Sequence, residues 1–179
     1  SKLSSQMIYG EKFNIIKKRN NWLKIKTSYD NYTGYIKNKK FLIKSNPTFK
    51  IYSLKSEIFK EINGKFKKTN KFLYFASKIP KIDENKKFLK FEKNKWLKKK
   101  DLKKINHIER NYNKIFKSFL NSKYLWGGKT AEGIDCSSLI QIYFYYNKIY
   151  FPRDTKDQIK FCKKKNEKKF SKGDIIFWK

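Results

Sequence analysis

Short stretches of alternating apolar and polar residues dominate the first 105 positions of the chain and predict β-strands. Leu23 and Ile25 alternate with lysines, as on a strand with one solvated face. Asparagine and aspartate residues supply turn chemistry between the stretches. The predicted strands are residues 7–8, 13–18, 22–26, 32–36, 48–52, 71–76 and 88–91. The polar run at 65–70 predicts a solvated loop.

Apolar positions recur at helical intervals after residue 105, which predicts an amphipathic helix ending near Asn121 and Ser122. These positions are Ile108, Tyr112, Ile115, Phe116, Phe119 and Leu120. A second helical pattern begins at Cys136, and we expect the first helix to pack beneath it. The apolar run 175–178 predicts a strand after a turn at Gly173. The fold class is therefore α+β.

A cysteine stands at the predicted start of the second helix, directly after a glycine-rich segment. Gly127, Gly128 and Gly133 allow tight turns, and Asp135 is a preferred N-cap residue just ahead of Cys136. A helix N-terminus favours a thiolate and offers backbone N–H groups to an oxyanion. The pattern predicts a nucleophile, with a buried cysteine at the start of a core helix as the alternative.

Four motifs around this cysteine occur in a specific order and cover about a third of the chain. They are Tyr124-Leu-Trp-Gly-Gly128, Asp135-Cys-Ser-Ser-Leu139, Pro152-Arg-Asp-Thr155 through Gln158, and Gly173-Asp-Ile-Ile-Phe-Trp178. Together they resemble the NlpC family of papain-like bacterial cell-wall cysteine endopeptidases. The resemblance implies that Cys136 attacks the γ-D-glutamyl to diamino-acid bond of peptidoglycan stem peptides. A histidine from a following strand would act as the base.

The same resemblance implies roles for the residues beside the nucleophile. Tyr124 would place a hydroxyl near the thiol, or pack under the loop as an aromatic. Trp126 would line the substrate pocket, or anchor the loop. Asp135 and Ser137 would bind the substrate's amino terminus, with N-cap and first-turn polar residue as the alternatives.

Four further positions have expected roles. Asp154 and Thr155 match a second substrate-binding pair, with threonine where serine is commoner in the family. Arg153 is expected to form a structural salt bridge. Glu11, from the N-terminal part of the chain, would contribute a carboxylate to a site for the substrate's ammonium group.

The chain departs from the family pattern at two places. Ser138 stands where the family usually has glycine. The only histidine, His107, precedes Cys136 and lies in a predicted polar-faced helix, where we expect it to be solvated. We therefore expect these 179 residues to be a fragment, catalytically incomplete, with the base histidine beyond residue 179.

Two small modules are predicted ahead of the peptidase region. The segments Gly10-Glu11, 21–25 and 33–37 resemble bacterial SH3-like domains. A faint repeat relates 35–41 to 96–102 and suggests a second copy. The predicted architecture is two SH3-like β-barrels, residues 1–45 and 46–105, followed by a C-terminally incomplete papain-like domain, residues 106–179.

The formal net charge of +31 invites a nucleic-acid interpretation. Of the 46 basic residues, however, three are arginine, the residue that dominates bidentate phosphate and base recognition. Lysine, isoleucine, asparagine, phenylalanine and tyrosine share A- and T-rich codons, so genome composition explains the charge more simply. We expect no specific nucleic-acid partner. A noncatalytic cell-wall or polyanion binder on a degenerate peptidase scaffold is the alternative function.

The remaining sequence features restrict the function classes. No run of about 18 apolar residues predicts a transmembrane span, and no secretory signal is recognised, which favours the cytoplasm. Cys162 lacks a glycine turn or a histidine neighbour and is interpreted as structural. One histidine and two distant cysteines lack the spacing of a metal site, and no cofactor is expected. Peptidoglycan stem peptides or free murein peptides are the expected partners, and the oligomeric state is left open.

Overall fold

The computed structural model describes residues 3–39, 41, 46–166 and 169–178. Within them the fold is α+β, as predicted, with thirteen strands and three α-helices. The strands are β1 (Phe13–Arg19), β2 (Trp22–Thr27), β3 (Thr33–Lys37), β4 (Phe49–Ile51), β5 (Lys55–Ile62), β6 (Lys65–Tyr74), β7 (Lys78–Ile79), β8 (Asp83–Glu84), β9 (Phe88–Glu92), β10 (Lys95–Lys98), β11 (Leu102–Lys104), β12 (Lys129–Thr130) and β13 (Gly133–Ile134). The helices are α1 (Tyr112–Ser118), α2 (Cys136–Tyr146) and α3 (Thr155–Phe161).

The N-terminal strands form an antiparallel sheet in the order β1-β2-β3. Leu23 and Ile25 are buried, Lys24 between them is half-buried and Lys26 is exposed, so the predicted alternation is confirmed. The strand predicted at residues 7–8 is wrong. The backbone N–H of Ile8 bonds to the Glu11 carboxylate at 2.8 Å instead of to a neighbouring strand. The predicted module boundary at residue 45 lies outside the described residues.

The middle of the chain builds two further sheets, ordered β6-β5-β10-β9-β8 and β11-β4-β7. A 3-10 turn at Lys99–Asp101 carries the chain from β10 in one sheet to β11 in the other. Both sheets contribute to one apolar core, which contains Ile51, Ile58, Leu73, Ile79, Leu89, Phe91, Leu97 and Leu102. The predicted strands at 48–52, 71–76 and 88–91 are thus confirmed as β4, part of β6 and β9. That these sheets form SH3-like barrels stays a prediction.

The loop predicted at residues 65–70 is wrong, because this segment is the first half of β6. Asn63 and Gly64 both have positive φ, at 49° and 72°, and connect β5 to β6 as a two-residue hairpin. Backbone hydrogen bonds hold the polar half of this hairpin, and the Thr69 hydroxyl adds one to the Ile58 carbonyl at 2.7 Å. Such a ladder needs no apolar face, so its strand residues do not show the alternating pattern.

The predicted helix after residue 105 begins later than its apolar pattern, at Tyr112, because Asn111 caps it by accepting from the Lys114 N–H. Its packing beneath the cysteine-bearing helix is confirmed. Ile115 of α1 and Ile142 and Tyr146 of α2 share a buried cluster with Phe75. This cluster joins the helices to the middle sheets.

The end of the described chain differs from the prediction made for it. The strand predicted at residues 175–178 is wrong, since in the described part of the chain no neighbouring strand pairs with this segment.

None of the described helices combines the length and apolarity that a membrane crossing requires.

Two lysines lie in unusually apolar surroundings beside α2. Lys50 is fully buried, donates from Nζ to the Tyr146 carbonyl at 2.6 Å and lies 3.9 Å from the centre of the Tyr146 ring. Lys78 Nζ lies 4.0 Å from the centre of the Tyr145 ring. Burial, followed by repulsion from neighbouring lysines, lowers the pKa of Lys50 to about 8. Burial also lowers the pKa of Lys78 to about 8.

These lowered pKa values predict that the destabilising contributions of Lys50 and Lys78 decrease as pH rises above 8. Between the folded pKa near 8 and the ordinary value of 10.5, the unfolded chain binds more protons at Lys50 than the folded one. The free energy of unfolding should therefore increase by up to about 1.4 kcal/mol per pH unit for such a lysine. Urea unfolding at pH 8.0 to 9.5 measures this slope, and Lys50→Met should make it shallower. An unchanged slope in the variant would contradict the assignment.

Candidate active site

A compact glycine turn precedes the cysteine-bearing helix. Strands β12 and β13 form a short hairpin, and the Gly128 N–H donates to the Leu125 carbonyl at 2.8 Å. A Cβ at Gly128 would lie 2.4 Å from the Gly133 carbonyl oxygen, and one at Gly133 would lie 2.5 Å from the Leu125 Cβ. Only glycine fits at these two positions. Without side chains there, Gly133 can lie against Leu125 and Gly128, at the beginning of the turn.

Asp135 caps helix α2 and is held by a buried ion pair. Its side chain accepts from the Ser138 N–H at 2.7 Å, which confirms the predicted N-cap. Arg153 donates through Nη1 and Nη2 to the two carboxylate oxygens at 3.1 and 2.7 Å. The side chains are 2% (Arg153) and 9% (Asp135) exposed. The predicted salt bridge of Arg153 is therefore confirmed, with Asp135 as its partner.

Hydrogen bonds occupy both oxygens of the Asp135 carboxylate. The two oxygens accept from Arg153 and the Ser138 N–H. They also accept from the Gly127 N–H at 2.9 Å and from the Ser137 hydroxyl at 3.0 Å. Burial raises the pKa of Asp135, but the hydrogen bonds from Arg153 and the Ser138 N–H outweigh it and hold the pKa below its ordinary value. Asp135 is a permanently charged anchor for the turn and the helix start.

Cys136 is the first residue of α2 and is exposed, which excludes the alternative of a buried core cysteine. It lines a groove of about 590 Å³ together with Ser137, Leu139 and Thr155. Residues 173–178 also line this groove. An exposed thiol at the positive end of an eleven-residue helix can act as a nucleophile on a bound carbonyl compound.

His107 lies too far from Cys136 to serve as its base. Its Nδ1 is 2.8 Å from the Tyr146 hydroxyl, at the last residue of α2. Ten residues of helix separate Cys136 from Tyr146, a distance of roughly 15 Å. The expectation of a solvated histidine in a helix is wrong, because His107 precedes α1 and packs against the Tyr52 ring. Burial also lowers its pKa.

The N-terminal segment is docked on the glycine turn through polar contacts. Glu11 forms an ion pair with Lys129 at 2.6 Å, and both side chains are 3% exposed. The Lys129 N–H donates to Gln6 Oε1 at 2.8 Å, and Arg153 Nε donates to the Ser5 hydroxyl at 2.9 Å. The ammonium contact expected for Glu11 is thus occupied by an internal lysine, and a substrate contact stays a prediction.

The other predicted site residues lie in three places. Ser137 and Thr155 lie in the groove beside Cys136. Tyr124 and Trp126 are 66% and 70% exposed on the turn and do not line that groove. Asp154 is the N-cap residue of α3, and burial raises its pKa. The substrate contacts predicted for Asp135, Ser137, Tyr124, Trp126, Asp154 and Thr155 stay predictions.

Two residues that support the site have no assigned role in the sequence reading. Gln158 is buried and donates from Nε2 to the carbonyls of Ser137 and Pro152, both at 2.9 Å, so it ties α3 to the first turn of α2. Ser5 contacts Arg153 from the far end of the chain. The glutamine lies in the motif that begins at Pro152 and could have been noticed, whereas nothing around Ser5 marks it.

An exposed cysteine begins a helix behind a glycine turn in this α+β fold. Two protein families match parts of the chain. Residues 121–179 match the NlpC/P60 family and residues 1–41 match the bacterial dipeptidyl-peptidase Sh3 domain. Residues 121–179 are therefore similar to NlpC/P60 proteins and residues 1–41 to bacterial SH3 domains, which confirms the resemblance predicted from the motifs.

Relatives with assigned names match over different lengths. The γ-D-glutamyl-L-lysine dipeptidyl-peptidase of Bacillus cereus is 23% identical over 99% of this chain and 60% of its own length. The Bacillus subtilis protein of that name is 38% identical over 34% of this chain and 20% of its own length. A probable endopeptidase NlpC homolog of Haemophilus influenzae is 33% identical over 36% of each chain.

A solved structure shares the fold. The crystal structure of an NlpC/P60 family protein from Bacillus cereus superposes with a TM-score of 0.80 at 18% identity, over 95% of this chain and 63% of that one. The chain thus spans about 60% of the length of the Bacillus cereus peptidase. The likeness supports the α+β architecture and the order of its parts.

Removal of the buried guanidinium should destabilise the site. Arg153→Met leaves the Asp135 carboxylate buried without its cation, which costs about 3–5 kcal/mol for such pairs. Chemical denaturation measures this loss. Arg110→Met is the matched control, since Arg110 is exposed, and it should change the free energy of unfolding by less than about 0.5 kcal/mol. Equal stability of the two variants would contradict the anchoring role of Arg153.

The two cysteines should differ in their reactivity. Cys136 is exposed at a helix N-terminus, whereas Cys162 is partly buried and burial raises the pKa of its thiol. Iodoacetamide at pH 7.5 should therefore alkylate Cys136 roughly tenfold faster than Cys162. Peptide mass spectrometry of a time course follows both sites in one sample. Equal rates under native conditions, with equal rates also in urea, would contradict the environment assigned to Cys136.

Proposed function

We propose that this protein is the front part of a cysteine peptidase that hydrolyses γ-D-glutamyl to diamino-acid bonds in peptidoglycan stem peptides. The observation that carries the proposal is the exposed Cys136 thiol at the N-terminus of α2, open to a groove of about 590 Å³. The name of the Bacillus cereus relative, a γ-D-glutamyl-L-lysine dipeptidyl-peptidase, supports the choice of bond.

In the proposed reaction the Cys136 thiolate attacks the carbonyl carbon of the γ-D-glutamyl bond. The negative charge that forms on the carbonyl oxygen is stabilised by backbone N–H groups at the start of α2. The amine of the diamino acid leaves with a proton from the base, and water then hydrolyses the thioester. Asp135 and Arg153 take no part in bond making. They hold Cys136 and the glycine turn in place.

The base of this reaction is proposed to lie beyond residue 179. The sequence contains a single histidine, His107, and this histidine forms a hydrogen bond with Tyr146 at the C-terminal end of α2. Residues 173–178 line the groove together with Cys136, so a histidine that follows shortly after them in the chain would lie near the thiol. The 179-residue protein on its own is accordingly proposed to be inactive.

A protein extended past Lys179 to include the next histidine tests the proposal. We expect it to cleave the murein tripeptide L-Ala-γ-D-Glu-L-Lys, with release of lysine followed by chromatography. Cys136→Ala should lower the rate by at least roughly a thousandfold, since a lost nucleophile removes the covalent pathway. Cys162→Ser is the matched control and should retain the activity.

The result also separates the enzyme from its alternative. Equal turnover by the extended protein and its Cys136→Ala variant would contradict the assigned nucleophile. No turnover in either, combined with retention on purified peptidoglycan, would favour a noncatalytic cell-wall binder on a degenerate scaffold.

A further inference from the structure

A second cavity lies at the junction of the three parts of the chain, away from the cysteine groove. Its volume is about 440 Å³, within the range of small-molecule sites. Residues 10–12 and 27–29 from the N-terminal module, Lys78 and Ile105 from the middle sheets, and Tyr145 and Lys148 from the end of α2 line it. Tyr145 lies nine residues after Cys136, or roughly 13 Å along the helix axis. The cavity is therefore distinct from the candidate active site.

Three lysines converge on this cavity without acidic partners. Lys12, Lys78 and Lys148 line it, and among the described residues no ion pair involves any of the three. Lys78 Nζ instead lies over the face of the Tyr145 ring at 4.0 Å. Clustered ammonium groups in a partly enclosed space repel one another unless an anion compensates them.

The carboxylate that lines the cavity is already neutralised. Glu11 accepts from Lys129 Nζ at 2.6 Å with one oxygen and from the Ile8 N–H at 2.8 Å with the other. Lys129 and Glu11 are both nearly inaccessible to solvent. The charge that remains for a ligand is consequently positive.

The titration of Lys78 is consistent with an uncompensated cluster. Burial is the main cause that lowers its pKa to about 8, Glu11 opposes this, and the charges of Lys148, Lys12 and Lys129 lower it further. A bound anion would reverse this repulsion and stabilise the charged form of the lysine.

The cavity also offers surface for the uncharged part of a ligand. Tyr29, Pro47, Ile105 and Tyr145 provide apolar walls, and the volume exceeds that of a single oxyanion. Lysine ammonium groups bind phosphate as point charges and bind carboxylates equally through charge-assisted hydrogen bonds.

We propose that this cavity is a binding site for a small organic oxyanion, a molecule that carries phosphate or several carboxylates and places them between Lys12, Lys78 and Lys148. The site binds independently of Cys136. Its ligand would bridge the N-terminal module, the middle sheets and α2, and would hold the three parts together.

Calorimetric titration of the 179-residue protein with pyrophosphate and, separately, with citrate tests the proposal at constant ionic strength. We expect saturable one-to-one binding of at least one of them. Pyrophosphate alone would indicate a phosphate ligand, and citrate alone a carboxylate ligand. Lys78→Met and Lys148→Met should each weaken binding at least tenfold. Lys67→Met, at an exposed lysine of β6, should leave it unchanged.

Two results would overturn the proposal. One is the absence of saturable binding of either anion. The other is an equal loss in the Lys67→Met control, which would indicate nonspecific attraction to a chain of net charge +31. Lys78→Met removes a charge that burial disfavours, so we expect this variant to fold. Cys136→Ala should bind the anion normally even if the peptidase activity proves absent, which keeps the two proposals separate.

Discussion

The buried pair of Asp135 and Arg153 is the interaction on which the arrangement around Cys136 depends. One carboxylate simultaneously caps α2, holds the glycine turn through the Gly127 N–H and receives the guanidinium that precedes α3. The same guanidinium reaches Ser5. The glycine turn, the start of α2, the residue ahead of α3 and the N-terminal segment therefore meet at one charge pair. Its burial costs desolvation free energy, which the full set of hydrogen bonds around both groups offsets.

This charge pair also explains how the N-terminal part of the chain contributes to the site. A small domain beside a peptidase can be a passive neighbour, but here residues 3–12 contact the glycine turn directly. Gln6 and Glu11 satisfy the backbone and side chain of Lys129, one residue after the turn. The conformation of the turn thus depends on contacts with residues that precede it and residues that follow it in the chain, which gives a physical reason for the two segments to occur together.

The sequence was sufficient for features that follow local rules. A few neighbouring residues determine each of these features: the alternation at Leu23 and Ile25, the N-cap at Asp135 and the helix from Cys136. The polar half of β6 was missed because its stability comes from pairing with β5, although Asn63-Gly64 was a readable hairpin signal. The tail at 175–178 shows the reverse case, in which an apolar run has strand composition but no described strand beside it. The contact between Ser5 and Arg153 links residues 148 positions apart, and no local pattern encodes it.

The hydrogen bonds to the Asp135 oxygens limit what else this carboxylate can bind. An ionised carboxylate offers about four lone-pair sites, and the Asp135 carboxylate already accepts hydrogen bonds from five donors. No acceptor capacity remains for a substrate ammonium unless one of these bonds breaks. By contrast, Thr155 lines the groove beside Cys136, and Asp154, at the N-cap of α3, makes no side-chain capping bond. The hydrogen-bonding capacity of Asp135 is thus used to fix the start of α2 and the glycine turn, whereas the polar side chains at the start of α3 are not used in this way.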